Sequence, residues 1–150
     1  MKRILSIDGG GIKGVLPAAF LATVEETTGK RVVDHFDLIA GTSTGGIIAL
    51  GLGLGLPASE IRRFYRENVP SVFRQPEGKF RRCLRLARWS IRPKYDTEAL
   101  RQALIQVFGE RKLGESETRL IIPVYHRDQQ GVYVFKTAHH PRLEMDYRVN

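Results

Sequence analysis

One stretch, Leu38-Ile39-Ala40-Gly41-Thr42-Ser43-Thr44-Gly45-Gly46, constrains this chain more than any other. An apolar run from Phe36 to Ala40 reads as a short buried strand. It ends in Gly-x-Ser-x-Gly, and a helical pattern (Ile47, Ile48, Ala49, Leu50) begins at once. Strand, sharp turn and helix in that order are what a nucleophile elbow requires. In so tight a turn, side chains at Gly41 and Gly45 would collide with the neighbouring strand and helix. Ser43 at the apex is then held off the sheet, open to a substrate. The helix N-terminus behind it, starting at Thr44, presents backbone N–H groups and a positive dipole end where an oxyanion would form.

A second glycine-rich turn precedes it. Arg3 to Ile7 is a short apolar strand candidate that runs into Asp8-Gly9-Gly10-Gly11-Ile12-Lys13-Gly14. Consecutive glycines between a strand and a helix leave a run of exposed N–H groups, suited to an anion or a developing oxyanion. The same residues spell Gly-x-Gly-x-x-Gly, the dinucleotide fingerprint. That fingerprint needs an acidic residue at the end of the second strand to hold a ribose. Here the second strand ends in Ala40-Gly41-Thr42-Ser43, and Asp34 and Asp37 lie at its other end.

Elsewhere the pattern predicts a helix carrying Leu16, Phe20 and Val24 on one face and ending near Gly29. Charged and polar residues from Lys30 to His35 then lead to the strand at Phe36. Gly51, Gly53 and Gly55 recur at every second residue, so no single close-packing face accounts for all three. A helix capped by Ser59 runs to about Asn68, with Ile61, Phe64 and Tyr65 as its apolar stripe. Pro70 ends it or starts a short successor. Phe80 to Ile91 reads as a basic amphipathic helix. Phe80, Leu84, Ala87 and Ile91 share one face, Arg81, Arg85, Arg88 and Arg92 flank it, and Trp89 lies on the polar side. Asp96 caps a helix over Thr97 to Phe108 that Gly109 stops. Leu120 to Val124 and Val132 to Lys136 form a hairpin around Arg127 to Gly131.

Charge narrows the choice of partner. The chain carries a formal +8, and Lys79 to Lys94 holds seven basic residues and no acid, so the remainder is close to neutral. A local basic surface suggests an anionic partner: a membrane, a nucleotide or a nucleic acid. The basic helix reads either as an interfacial helix on anionic lipid, through Arg81, Arg85, Arg88 and Trp89, or as an ordinary solvated surface helix. The single cysteine, Cys83, excludes an intrachain disulfide and fits a reducing compartment. The N-terminal apolar run is too short for a signal peptide, and Ile47 to Leu56 is too short to span a bilayer. His139 and His140 are neighbours with no third ligand at a sensible spacing, so no metal is expected. They fit a loop, or a base for Ser43 as in a Ser-His-Asp hydrolase.

Together, Asp8-Gly9-Gly10-Gly11-Ile12-Lys13-Gly14 and Gly41-Thr42-Ser43-Thr44-Gly45-Gly46 resemble the patatin-like phospholipase family. Val134-Phe135-Lys136-Thr137-Ala138-His139-His140-Pro141 is similar to its bacterial members. The resemblance implies a three-layer α/β/α sandwich with a mainly parallel central sheet. It implies a serine lipid acyl hydrolase in which Ser43 is the nucleophile and Gly9, Gly10, Gly11 and Thr44 frame the oxyanion hole. Asp8, Lys13, Gly14, Gly41 and Gly45 complete its motifs. No cofactor is implied. The family uses a Ser–Asp dyad whose aspartate sits in a later Asp-Gly-Gly or Asp-Gly-Ala. Asp96, Asp128 and Asp146 stand in neither motif. Residues 1–150 therefore read as the N-terminal part of a single such domain, stopping before the dyad aspartate. The implied partners are a phospholipid or acyl-ester substrate, a peripheral membrane contact and, as in some bacterial members, a cyclic nucleotide activator, with no nucleic acid. The implied location is the cytoplasm or the inner membrane face. The competing reading is a catalytically silent nucleotide- or partner-binding module that keeps the glycine loops.

Overall fold

A computed structural model describes residues 1–72, 97–138, 146 and 149. Four strands form one sheet in the order β1-β2-β3-β4: β1 Ile4–Ile7, β2 Leu38–Gly41, β3 Arg119–His126 and β4 Gly131–Lys136. β1, β2 and β3 are parallel and β4 is antiparallel to β3. Parallel neighbours cannot be joined by a tight turn, so helices fill the crossovers. These are α1 (Val15–Thr28), the short α2 (Val32–His35), α3 (Thr44–Gly53), α4 (Ala58–Val72) and α5 (Thr97–Phe108). This is the mostly parallel α/β arrangement expected from the sequence.

The register of the sheet positions the site. Ile7 pairs with Gly41, so β1 and β2 end side by side and their following loops leave from the same edge. Beneath that edge lies the core. Ile39 of β2, Leu120 of β3 and Ile48, Ala49 and Leu52 of α3 are all buried. Glycine lets α3 come close on two sides. A methyl group at Gly51 would sit 2.9 Å from Ile61 Cδ1 of α4, and one at Gly53 would meet Leu120 Cδ1 at 2.8 Å. Gly55, at φ 81, turns the chain out of the helix. Gly51 and Gly53 thus serve different neighbours, while Gly55, read in the sequence as part of the same helical series, lies beyond the end of α3 and serves its exit turn.

Several local expectations need correction. Leu16 and Phe20 of α1 are 68% and 67% exposed, and burial falls instead on Ala18, Leu21 and Ala22. The N-terminal half of α1 is apolar all round, so more than one stripe satisfies the helical period. The alanine-rich one is the stripe the packing selects. Ser59 is not a cap, because α4 begins at Ala58 and the Glu60 and Ile61 N–H groups donate to the Pro57 carbonyl. The cap comes from far along the chain. Glu25 of α1 accepts from the Ala58 N–H at 2.7 Å and from the Val32 N–H at 2.9 Å, which closes the first turns of α4 and α2 together. Pro70 neither ends α4 nor starts a successor, since the helix continues to Val72. Residues read as a polar lead-in to β2 form α2, whose Asp34 accepts from the Arg31 N–H. The segment read from the sequence as a basic helix, with Arg81, Arg85, Arg88 and Trp89, lies outside the described residues, as do Asp96, His139 and His140.

Candidate active site

Ser43 stands between β2 and α3 with φ 52 and ψ −121. Among the described residues it is one of two non-glycine residues at positive φ, the other being Gln130 in the hairpin turn. A side chain is held in that region only where the surroundings over-determine it, and functional turns are where this happens. The glycines on either side supply the constraint. A methyl group at Gly41 would overlap the Gly45 carbonyl, and one at Gly45 would overlap the Ile7 carbonyl of β1. The turn is pinned further by the Thr42 N–H to Ile7 O bond at 3.3 Å and the Gly45 N–H to Thr42 O bond at 2.9 Å. Ser43 is exposed, and its hydroxyl makes no capping bond to α3.

The glycine loop meets this turn directly. The Gly9 N–H donates to Thr42 Oγ1 at 3.2 Å. A methyl group at Gly9 would sit 2.9 Å from Ser43 Cβ, so loop and apex are in contact. Gly11 to Gly14 form a 3₁₀ turn in which the Lys13 N–H reaches the Gly10 carbonyl at 3.2 Å. Gly14 is buried against Thr44, where any side chain would collide with the threonine methyl. Of the N–H groups expected to face an oxyanion, that of Gly9 is engaged by Thr42. Those of Gly10, Gly11 and Thr44 have no acceptor among the described residues. A groove of about 410 Å³ opens beside the loop, lined by Leu5, Ile7, Gly9, Gly10, Leu16 and Phe20 among others.

Thr44 is the junction. It is 3% exposed and its Oγ1 donates to the Gly11 carbonyl at 3.2 Å. Its own carbonyl accepts from the Tyr65 hydroxyl of α4 at 2.9 Å. Burial pushes the Tyr65 phenol well above its usual range, so it stays a donor throughout the ordinary pH range. Sequence reasoning missed this residue, because in the pattern Tyr65 is simply part of an apolar stripe. The available signal was its hydroxyl, since a buried tyrosine usually has a polar partner.

Among the described residues no carboxylate or imidazole is hydrogen-bonded to Ser43. His126 accepts from the Gln129 N–H through Nδ1, and His35 Nε2 lies 3.5 Å from Thr28 Oγ1. Asp146 is buried and bound to the Tyr133 hydroxyl at 2.6 Å and the Lys136 N–H at 3.1 Å, so it anchors β4. That hydrogen bond raises the Tyr133 pKa. The acids that a ribose would need are also committed. Asp37 binds the Arg3 N–H at 2.8 Å and the Lys2 ammonium at 2.9 Å, contacts that hold its carboxyl below the usual range. Asp34 pairs with Arg31. No group of three or more His, Cys, Asp or Glu suited to a metal occurs among the described residues. No helix among them is long and apolar enough to cross a membrane.

The sequence profile of the family described as Patatin-like phospholipase matches residues 5–148. The chain is 34% identical to a cGAMP-activated phospholipase of Pseudomonas aeruginosa, over 98% of this chain and 43% of that protein. It is 36% identical to a cGAMP-activated phospholipase of Vibrio cholerae, over 98% of this chain and 44% of the relative. Patatin-like protein 2 of Arabidopsis thaliana is 40% identical over 81% of this chain and 33% of its own length. The chain spans less than half the length of these relatives. Two glycine turns meeting at one sheet edge, and a profile match over nearly all the residues that build them, lead to one conclusion: the chain belongs to the patatin-like phospholipase family.

Proposed function

We propose that this chain carries the nucleophile and oxyanion half of a serine lipid acyl hydrolase that cleaves the acyl esters of phospholipids or related lipids. The observation that carries the reading is Ser43 at positive φ, exposed at the head of α3 and in contact with Gly9. In this reading Ser43 Oγ attacks the ester carbonyl and its proton passes to a base. The carbonyl oxygen becomes an oxyanion facing the N–H groups of Gly10, Gly11 and Thr44. Donors of this kind, fixed in advance, stabilise charge that develops only in the transition state. Collapse of the tetrahedral intermediate expels the alcohol and leaves an acyl-serine, which water then hydrolyses. Gly9 and Gly14 serve by close approach, and Lys13 closes the loop through its backbone.

The base in this reading is an aspartate in an Asp-Gly-Gly or Asp-Gly-Ala motif beyond Asn150, and residues 1–150 are the N-terminal part of one domain. The commitment of Asp146 to Tyr133 and Lys136 supports placing the base elsewhere. Two relatives are named as cGAMP-activated, and the basic segment Lys79 to Lys94 suits an anionic activator or an anionic membrane face. Both are therefore proposed as partners of the longer protein. The test is a comparison of two lengths. Residues 1–150 alone should be inert towards p-nitrophenyl acyl esters and unreactive to a fluorophosphonate. The complete gene product should hydrolyse the ester and be labelled at Ser43. Activity in the short chain that is lost on His139→Ala or His140→Ala would establish a histidine base and overturn the dyad.

A further inference from the structure

We propose that Tyr65 is a positioning residue for this site: through its hydroxyl it fixes Thr44, and with Thr44 the alignment of the α3 N-terminus against the glycine loop. The inference rests on the hydrolase reading above and adds to it a residue on a third element.

The contacts form one continuous tether. Tyr65 of α4 is 2% exposed, and its ring packs edge-on to Phe64 with centroids 5.4 Å apart. The same ring walls the glycine turn, since a methyl group at Gly14 would come within 3.1 Å of Tyr65 Cε1. The hydroxyl donates to the Thr44 carbonyl at 2.9 Å, and Thr44 Oγ1 donates in turn to the Gly11 carbonyl at 3.2 Å. Helix α4, the apex turn and the glycine loop are therefore linked through a single buried threonine. That threonine also carries one of the N–H groups assigned to the oxyanion.

Satisfying the carbonyl is not what the hydroxyl is for. Thr44 opens α3, and carbonyls of a first helical turn already have intrahelical partners; it is the N–H groups there that lack them. The bond from Tyr65 is thus an additional one, at the residue where a small displacement moves an oxyanion donor. Phenylalanine would fill the same space and pack against Phe64 and Gly14 equally well. What the hydroxyl adds is a fixed position for Thr44. Burial keeps the phenol protonated, so the tether holds across the working pH range.

The test uses the complete gene product and a p-nitrophenyl acyl ester, with fluorophosphonate inactivation as a second readout. Tyr65→Phe should lower kcat and the inactivation rate together by about ten-fold, because sub-ångström misplacement of a catalytic group carries a penalty of that order. KM and the circular dichroism spectrum should stay as in the wild type. Thr44→Val, which keeps the shape and removes the bond to Gly11, should do the same. The double variant should lose clearly less than the product of the two single losses, since both cut one tether. Should Tyr65→Phe fail to fold, the kcat-against-KM split of Thr44→Val decides. A wild-type kcat in either soluble variant, or fully multiplicative losses in the pair, overturns the proposal. Failure of the wild-type protein to be labelled at Ser43 is a different outcome: it removes the hydrolase reading itself, and the proposal with it.

Discussion

Replacing Gly9 with alanine is the sharpest perturbation of the contact between the two glycine turns. The backbone at Gly9 is not left-handed, so the substitution imposes no φ strain and acts through space alone. The new methyl group would lie 2.9 Å from Ser43 Cβ and 2.9 Å from the Thr42 carbonyl oxygen, both on the apex turn. Ordinary contact requires the loop and the apex to part by about half an ångström or more. That turn is held by Gly45 against β1, so it cannot retreat freely. Overpacking of this kind costs about 1–3 kcal/mol of stability. Displacing donors from a nucleophile by this distance should lower kcat about ten-fold to a hundred-fold. Gly10→Ala is the matched control, because its methyl group would meet only the Lys13 side chain, with Cβ at 3.4 Å and Cδ at 3.9 Å. It should leave stability within about 0.5 kcal/mol while shielding an oxyanion donor worth about 10²–10³ in rate. Thermal melts and steady-state kinetics on the complete protein separate the two. A Gly9→Ala enzyme with wild-type Tm and kcat would refute the claim that the two turns are in contact.

Ser43→Ala should abolish fluorophosphonate labelling and ester hydrolysis with a melting temperature near that of wild type, because alanine sits at φ 52 no worse than serine does; a variant that still turns over near the wild-type rate would remove the nucleophile assignment. Glu25→Ala removes the acceptor shared by the Val32 and Ala58 N–H groups and should cost about 2–4 kcal/mol in urea unfolding, with Glu25→Asp intermediate. The raised Tyr65 pKa fixes the sign of an alkaline effect: the unfolded phenol loses its proton near its ordinary pKa of 10.0 while the folded one keeps it, so that stabilisation is complete below pH 10.0 and declines as pH rises above it. Tyr65→Phe should therefore flatten the alkaline fall of stability by up to about 1.4 kcal/mol per pH unit, and an unchanged slope would show that this group does not drive it. Binding of the complete protein to anionic vesicles should weaken steeply with salt, and further in an Arg81→Gln, Arg85→Gln, Arg88→Gln variant; equal binding to neutral vesicles would remove the reading of that basic segment as a lipid contact.

By itself, the sequence determined the features that depend on neighbours in the chain. Gly41-Thr42-Ser43-Thr44-Gly45 announces its turn locally, because a methyl group at Gly41 would overlap the Gly45 carbonyl four residues on, and the structure holds Ser43 at the positive φ of that turn; the need for glycine at Gly45 comes instead from the Ile7 carbonyl of β1. The strands, the hairpin and the Gly109 stop of α5 follow from equally local periodicity and backbone preference. What the tertiary structure decided is everything that depends on residues distant in the chain. The Ile7–Gly41 register brought the glycine loop to Ser43, and packing chose Ala18, Leu21 and Ala22 over Leu16 and Phe20 as the inner face of α1. The α4 cap passed from Ser59 to Glu25, which lies 33 positions away from Ala58. Tyr65 became the anchor of Thr44 across 21 positions. The physical reason is common to these cases. A helical period states which residues share a face, and a cap preference states which side chains could serve, but the outcome depends on which partner the fold brings within hydrogen-bond or van der Waals reach.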